Sequence, residues 1–188
     1  DVGFAFDGDA DRCLAVDENG NVVSGDHILY ILANQLKRKG ILNHDTIVAT
    51  VMSNGGLTKA LREVGINTVK TAVGDRYVYE AMMKDGYLLG GEQSGHIILQ
   101  KYATTGDGIL TALMLMEEIL DRKSTLGKLA SPVKIFPQTL INIKVPDKDA
   151  VMNDEHVKSI VREIEEELGE NGRILLRKSG TENVIRVM

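Results

Sequence analysis

Three aspartates alternating with small residues, Asp7-Gly8-Asp9-Ala10-Asp11, run into Arg12 directly after the apolar segment Val2-Gly3-Phe4-Ala5-Phe6. The apolar segment reads as a strand, and alternate residues of an extended chain point to one side. Asp7, Asp9 and Asp11 therefore converge if the strand passes into a tight loop, for which Gly8 and Ala10 leave room. Carboxylates this close repel unless something positive sits among them, and a hard divalent cation with oxygen ligands answers that need. A solvated acidic turn is the plain alternative. An EF-hand calcium loop fits less well: Asp7, Asp9, Asp11 and Glu18 fall at ligand positions, but Arg12 stands where that loop needs glycine for its sharp turn.

Three further loops carry chemistry. Gly74-Asp75-Arg76-Tyr77 lies between a strand and a helix start, so Arg76 could meet an anionic ligand while Asp75 could simply cap the helix. Gly90-Gly91-Glu92-Gln93-Ser94-Gly95-His96 sets a carboxylate, an amide, a hydroxyl and an imidazole among glycines. Such a set can hydrogen-bond neighbouring sugar hydroxyls, and His96 is balanced between ligand contact and a structural role. Arg177-Lys178-Ser179-Gly180-Thr181-Glu182-Asn183, with Arg186 beyond it, offers backbone N–H groups, two hydroxyls and a guanidinium that can grip phosphate. Glu182 speaks for a simple turn there, but the donors favour phosphate.

The elements that must position these loops follow from periodicity and caps. After the first strand come Cys13 to Val16, a hairpin turn at Glu18-Asn19-Gly20-Asn21, and Val22-Val23. Asp26 can cap a helix through Leu36 that Gly40 stops. A strand at Thr46 to Val51 precedes a helix capped by Ser53 or Asn54 and ending at Gly65. Asn67 to Ala72 is a strand, Gly74-Asp75 opens a helix ended by Gly86, and Tyr87 to Leu89 runs as a strand into Gly90-Gly91. His96 to Gln100 is a strand, and Gly106-Asp107-Gly108 opens a helix from about Ile109 to Asp121 whose Leu, Met and Ile stripe reads as core. Strand–helix alternation of this kind marks an α/β layer with parallel pairing, with ligands at strand ends. Arg122 to Pro137 reads mainly as a connector with room for a short helical turn. A small β-α-β-β unit follows: Thr139 to Val145, a helix capped by Asn153 or Asp154 and ended by Gly169, Arg173 to Leu176, and a last strand.

The 188 residues are 43% hydrophobic and 26% charged, the balance of a globular protein with a real core. A net charge of −5, with no basic run beyond Lys37-Arg38-Lys39, argues against nucleic acid as a partner. No window approaches the ~18 apolar residues of a membrane span, so no membrane partner is expected. One cysteine, Cys13, excludes an internal disulfide and suits a reducing compartment such as the cytoplasm. The chain opens and closes inside strand-like segments, as a piece of a longer protein would.

Taken together and in this order, D-G-D-A-D-R, V-G-D-R-Y-V at 73–78, G-E-Q-S-G-H, T-T-G-D-G-I at 104–109 and R-K-S-G-T-E-N resemble the α-D-phosphohexomutase family along essentially the whole chain. Gln93, where the phosphomannomutase and phosphoglucomutase branch more often carries methionine, points to the amino-sugar branch. The resemblance implies a four-domain Mg²⁺-dependent isomerase that moves a phosphoryl group between a serine in its first domain and a phosphorylated hexosamine, through a bisphosphate. It implies Asp7, Asp9 and Asp11 as metal ligands and Arg12 as the arginine beside the phosphoserine. Glu92 and Ser94 match sugar-hydroxyl contacts, and His96 matches a position proposed to assist proton transfer. Gly74, Asp75 and Arg76 are placed at the substrate, and Arg177, Ser179, Gly180, Thr181 and Arg186 in a phosphate clamp.

On the same basis residues 1–23 are the tail of a second domain, 24–131 a third with a mixed α/β layer, and 135–188 most of a fourth. The fourth is a small α+β unit like the TATA-binding protein. The phosphoserine and the N-terminal domains lie outside, so this stretch alone is expected to bind Mg²⁺ weakly and not to turn over. The family's usual R-P-S-G-T-E-P has Lys178 and Asn183 in place of its prolines, which loosens the loop. A sugar-phosphate-binding module without chemistry, and an Asp-x-Asp phosphatase, are the competing readings.

Overall fold

The computed structural model describes residues 1–169 and 172–188, which divide into two compact units, residues 1–135 and 136–188. In the first unit β1 (Gly3–Phe6), β2 (Cys13–Val16) and β3 (Val22–Val23) form an antiparallel sheet in that order. Phe6 opposite Cys13 is the last pair of the β1–β2 ladder, so residues 7–12 must close on themselves within one loop. The β2–β3 turn is made by Asp17, whose carboxylate accepts from the N–H groups of Asn19 and Asn21 at 2.9 and 2.8 Å.

Helix α1 (Gly25–Arg38) begins earlier than its sequence indicates. Ser24, not Asp26, is the cap, and its N–H donates to His27 Nδ1 at 3.2 Å. Asp26 is instead buried in the first turn, where its Oδ2 accepts from the Asn54 N–H at 2.8 Å. The start is set by tertiary contact: a Cβ on Gly25 would lie 2.1 Å from the Glu92 carbonyl oxygen.

A four-stranded sheet follows, built from β4 (Thr46–Thr50), β5 (Asn67–Thr71), β6 (Leu89–Gly91) and β7 (Ile97–Leu99) in the order β5-β4-β6-β7. Parallel pairing holds for β4 with β5 and β6, while β7 returns antiparallel to β6. Strand β4 is buried throughout, and its alternation divides the unit into two layers. Ile47 and Ala49 join the large core with α1, α2 (Gly55–Glu63) and α4 (Gly108–Arg122), and Val48 joins Val78 and Met82 of α3 (Asp75–Asp85). Asn54 caps α2 and Asp107 caps α4, each accepting a backbone N–H at 2.9 Å, while Gly86 ends α3 in the left-handed conformation.

Three further readings of the first unit's elements need correction. Strand β6 starts at Leu89, two residues later than expected, because its ladder partner β7 covers only Ile97–Leu99. The apolar stripe of α4 is core only on the side of Ala112, Met114 and Leu115; Ile109, Leu113 and Leu120 face outward at 58, 63 and 68% exposure. The connector is built in rather than loose: α5 (Leu126–Ala130) sets Leu126 and Ala130 in the core one turn apart, and Val133 beyond it joins them.

The second unit pairs β8 (Ile141–Lys144), β10 (Val184–Val187) and β9 (Leu176–Lys178) in that antiparallel order. Helix α6 (Lys148–Asn153) was not foreseen; Asp147 nucleates it by accepting from the N–H groups of Asp149 and Ala150. Asp154 caps α7 (Glu155–Leu168). Strand β9 lies at 176–178 rather than 173–176, drawn there by its register with β10, which sets Arg177 opposite Arg186. Among the described residues no helix is long and apolar enough to cross a membrane.

Two expectations follow. Gly25→Ala drives a methyl into backbone and should cost about 1–3 kcal/mol, whereas Gly8→Ala, whose Cβ meets nothing within 4 Å, should leave chemical denaturation of the first unit unchanged. Cys13 has no exposure, and burial pushes its thiol from 9.0 up to about 11. The folded thiol keeps its proton where the unfolded one loses it, so its contribution is intact below pH 9 and lost as pH rises toward 11. Stability should fall across that window more steeply in the native chain than in Cys13→Ala, and a thiol reagent at pH 8 should spare the folded protein.

Candidate functional site

Loop 7–12 brings one oxygen from each of Asp7, Asp9 and Asp11 within 4.8 Å of the others. The loop is closed by hydrogen bonds from Ala10 N–H to the Asp7 carbonyl and from Arg12 N–H to Asp7 Oδ1, both at 3.2 Å. Its left-handed residue is Ala10, at φ 57°, rather than Gly8. For a residue with a Cβ that conformation costs about 1–2 kcal/mol, and strain of this kind gathers where a loop is shaped for a task. The Arg12 guanidinium stands 3.7 Å from Asp7 and is half exposed.

Glycines fasten this loop from behind. Gly108 N–H donates to the Ala10 carbonyl at 2.9 Å, and a Cβ on Gly108 would lie 2.4 Å from the Arg12 carbonyl oxygen. The β6–β7 turn carries the second loop onto the same segment: Cys13 N–H donates to the Gly95 carbonyl at 3.0 Å, and Arg12 and His96 form a β-bridge. His96 is buried, with Nδ1 3.0 Å from Asp11 Oδ2 and Nε2 accepting from Gly106 N–H at 3.0 Å. Both ring nitrogens are engaged within the protein, and the ring faces loop 7–12 rather than an open surface.

Glu92 is half-buried, and its Oε1 accepts from Gly74 N–H at 3.1 Å, which joins the third loop to the second. Gly74, not Asp75, is the cap of α3, and Asp75 is the helix's first residue. Arg76 points away, 80% exposed and paired with Glu80 one turn on at 2.7 Å. The Ser94 hydroxyl is shielded from solvent and has no hydrogen-bond partner among the described residues.

In the second unit Ser179 is buried, with its N–H on the Val184 carbonyl and its Oγ accepting from Glu182 N–H. Gly180 and Thr181 are exposed at the tip; Gly180 is not left-handed, and a Cβ there would meet nothing. Arg177 and Arg186 share one face of the β9–β10 pair. Arg186 reaches Glu182 at 3.3 Å, and Arg177 has no acceptor among the described residues. Two lysines that sequence reasoning did not single out for the site hold the loop. Lys148 Nζ donates to the carbonyls of Ser179 and Glu182 at 2.9 and 3.0 Å, and Lys178 pairs with Asp149. The Lys178 ammonium holds the Asp149 carboxyl below its ordinary value. The only signal for Lys148 was its place just after Asp147, in a helix too short to read.

The sequence matches the family profile "Phosphoglucomutase/phosphomannomutase, alpha/beta/alpha domain III" over residues 24–136 and "Phosphoglucomutase/phosphomannomutase, C-terminal domain" over residues 140–188. The chain belongs to the phosphoglucomutase/phosphomannomutase family of α-D-phosphohexomutases. It is 59% identical to phosphoglucosamine mutase of Lachnospira eligens and 55% identical to that of Bacillus subtilis, over all 188 residues in both. It spans about 42% of the length of either relative. Its fold matches N-acetylglucosamine-phosphate mutase in a product complex, with a TM-score of 0.79 at 20% identity over 99% of this chain and 44% of the other. It also matches Aspergillus fumigatus N-acetylphosphoglucosamine mutase in complex with GlcNAc-6P and magnesium, with a TM-score of 0.75 at 22% identity over 100% and 44%.

The bracing of the second-unit loop is directly testable. Lys148→Met should raise amide exchange at Glu182 severalfold, because two carbonyls lose a shared donor. Overall stability should fall by only about 1 kcal/mol, the usual net worth of such contacts.

Proposed function

We propose that this chain is the later part of a phosphoglucosamine mutase that interconverts glucosamine 6-phosphate and glucosamine 1-phosphate through a bisphosphorylated sugar. In this reading the phosphoserine lies outside residues 1–188, on the remainder of the protein, which is the chain's obligatory partner. The reaction belongs to the cytoplasm. The observation that carries it is the 55–59% identity to phosphoglucosamine mutases across every residue.

Three convergent carboxylates suit magnesium, which prefers hard oxygen donors. Asp7, Asp9 and Asp11 would hold the ion, which when bound neutralises charge on the transferring phosphoryl group. Arg12, half exposed beside Asp7, adds a second positive charge at that end. Glu92, fixed through Gly74, accepts from sugar hydroxyls, and a loop that reads hydroxyls rather than phosphate lets the sugar bind in either direction. Arg177, Arg186, Ser179, Gly180 and Thr181 hold the phosphate that is not reacting, so that its binding energy orients the sugar. Phosphoryl transfer asks for positioning and charge neutralisation, and these residues supply both.

Titration of the chain with glucosamine 6-phosphate by NMR tests this. Shifts should include 177–186, and Arg177→Ala should weaken binding roughly ten- to hundredfold, the worth of one charge-assisted contact. Binding that survives Arg177→Ala undiminished, or shifts that avoid 177–186, would overturn the assignment. A preference for mannose 6-phosphate would move the chain to the other branch of the family.

A further inference from the structure

We infer that Lys148 is a positioning residue for the phosphate end of the site: its ammonium holds the 179–183 loop from one side so that the Gly180 N–H is turned to an anion on the other. The inference rests on the reading that this loop grips a phosphate. Lys148 Nζ donates to the Ser179 carbonyl at 2.9 Å and to the Glu182 carbonyl at 3.0 Å. No peptide bond among the described residues is cis, and in a trans peptide the C=O of one residue points opposite to the N–H of the next. A Ser179 carbonyl aimed at the ammonium therefore turns the Gly180 N–H away from it. The Glu182 carbonyl does the same for the Asn183 N–H.

The hydrogen bonds of the loop divide in a way that suits an anion. Carbonyls at Ser179, Glu182 and Asn183 are taken, the last by Val145 N–H at 3.1 Å. The N–H groups of Gly180, Thr181 and Asn183 have no acceptor among the described residues, and all three residues are exposed. Free backbone donors gathered in one turn have the polarity of an anion nest. Nothing in Gly180's own surroundings fixes its peptide: it is not left-handed, and a Cβ there would meet nothing within 4 Å. The fixing comes from α6, whose first residue is Lys148 and whose second, Asp149, pairs with Lys178 at the end of β9. Lys148 is half-buried and commits two of its three N–H bonds to the loop carbonyls, so it acts through the backbone of the loop.

Glucosamine 6-phosphate titrated into the 188-residue chain and followed by NMR reads this role. Lys148→Met keeps most of the stem and removes every donor, and it should bind about three- to tenfold more weakly, the weight of one misaligned hydrogen bond. In Lys148→Arg the guanidinium can again span two carbonyls, and most of the loss should be recovered. The ratio of wild-type to Lys148→Met affinity should be the same at low and high salt, because an aligned backbone donor is lost rather than a screened charge. An unchanged affinity in Lys148→Met, a loss that Lys148→Arg does not reduce, or a loss that vanishes at high salt would overturn the positioning role. Arg177→Ala keeps the two readings apart. If it binds as wild type does, the phosphate reading fails and the inference with it; a loss in Arg177→Ala with none in Lys148→Met rejects the positioning role alone. Should the Lys148 variants not fold, the unaltered chain decides. The role requires scalar coupling across the hydrogen bonds from Lys148 ¹⁵Nζ to the carbonyl carbons of Ser179 and Glu182, with and without the sugar phosphate, and its absence rejects the role.

Discussion

Like charges held close together are the constraint to which both ends of this chain are built. Three carboxylate oxygens lie within 4.8 Å of one another in loop 7–12, and two arginines oppose each other across β9 and β10. At such separations each carboxylate pair costs about 1 kcal/mol in water and several times that where the dielectric falls, and like charges directly opposite in a sheet are destabilising. Neither cluster is what burial or propensity would select. Each is tolerated because its backbone is fixed by contacts that do not depend on the charges: a ladder ending at Phe6–Cys13 in one case, three paired residues of β9 and β10 in the other. An opposite charge arriving at either end would relieve repulsion that folding has already paid for.

Much of the scaffold was legible because its signals are local. Asn54 and Asp154 each accept a backbone N–H at the helix starts where a side-chain cap was expected, Asp107 does the same where Gly106-Asp107-Gly108 was expected to open a helix, and Gly65 and Gly86 are left-handed where helices were expected to stop. The misplacements share a cause in tertiary contact. Asp26 has the chemistry of a cap, but the approach of Gly25 to the Glu92 backbone moves the helix start upstream and buries the carboxylate. Strand β9 slides because its register is set by Val187 and Arg186, not by its own composition. The α4 stripe has one apolar period, and nothing in it says which side meets the core.

The site was legible as residue types but not as roles. Asp7, Asp9 and Asp11 alternate visibly, whereas the participation of Gly106 and Gly108 depends on a loop about a hundred residues away in sequence. A glycine that exists for close approach looks the same in a sequence as one that exists for a turn. His96 shows this best. Its neighbours in sequence mark a ligand loop, but the partners that decide its chemistry, Asp11 and Gly106, are non-local. Arg76 shows the converse, since a cation in a promising loop can close on its own helix at Glu80.

The second-unit loop shows how a missing local constraint can be replaced. Prolines at 178 and 183 would stiffen 178–183 chiefly by narrowing the unfolded ensemble. This chain has Lys178 and Asn183 instead and gains order through the folded state: one ammonium spans the carbonyls of Ser179 and Glu182, and another reaches Asp149 at the start of α6. The two devices respond differently to conditions. Proline acts at any ionic strength, whereas an exposed ion pair weakens as salt screens it. The lowered Asp149 carboxyl keeps the Lys178 pair charged further into acid than a free aspartate would. Lys178 in place of a proline thus trades fixed stiffness for order that is coupled to charge.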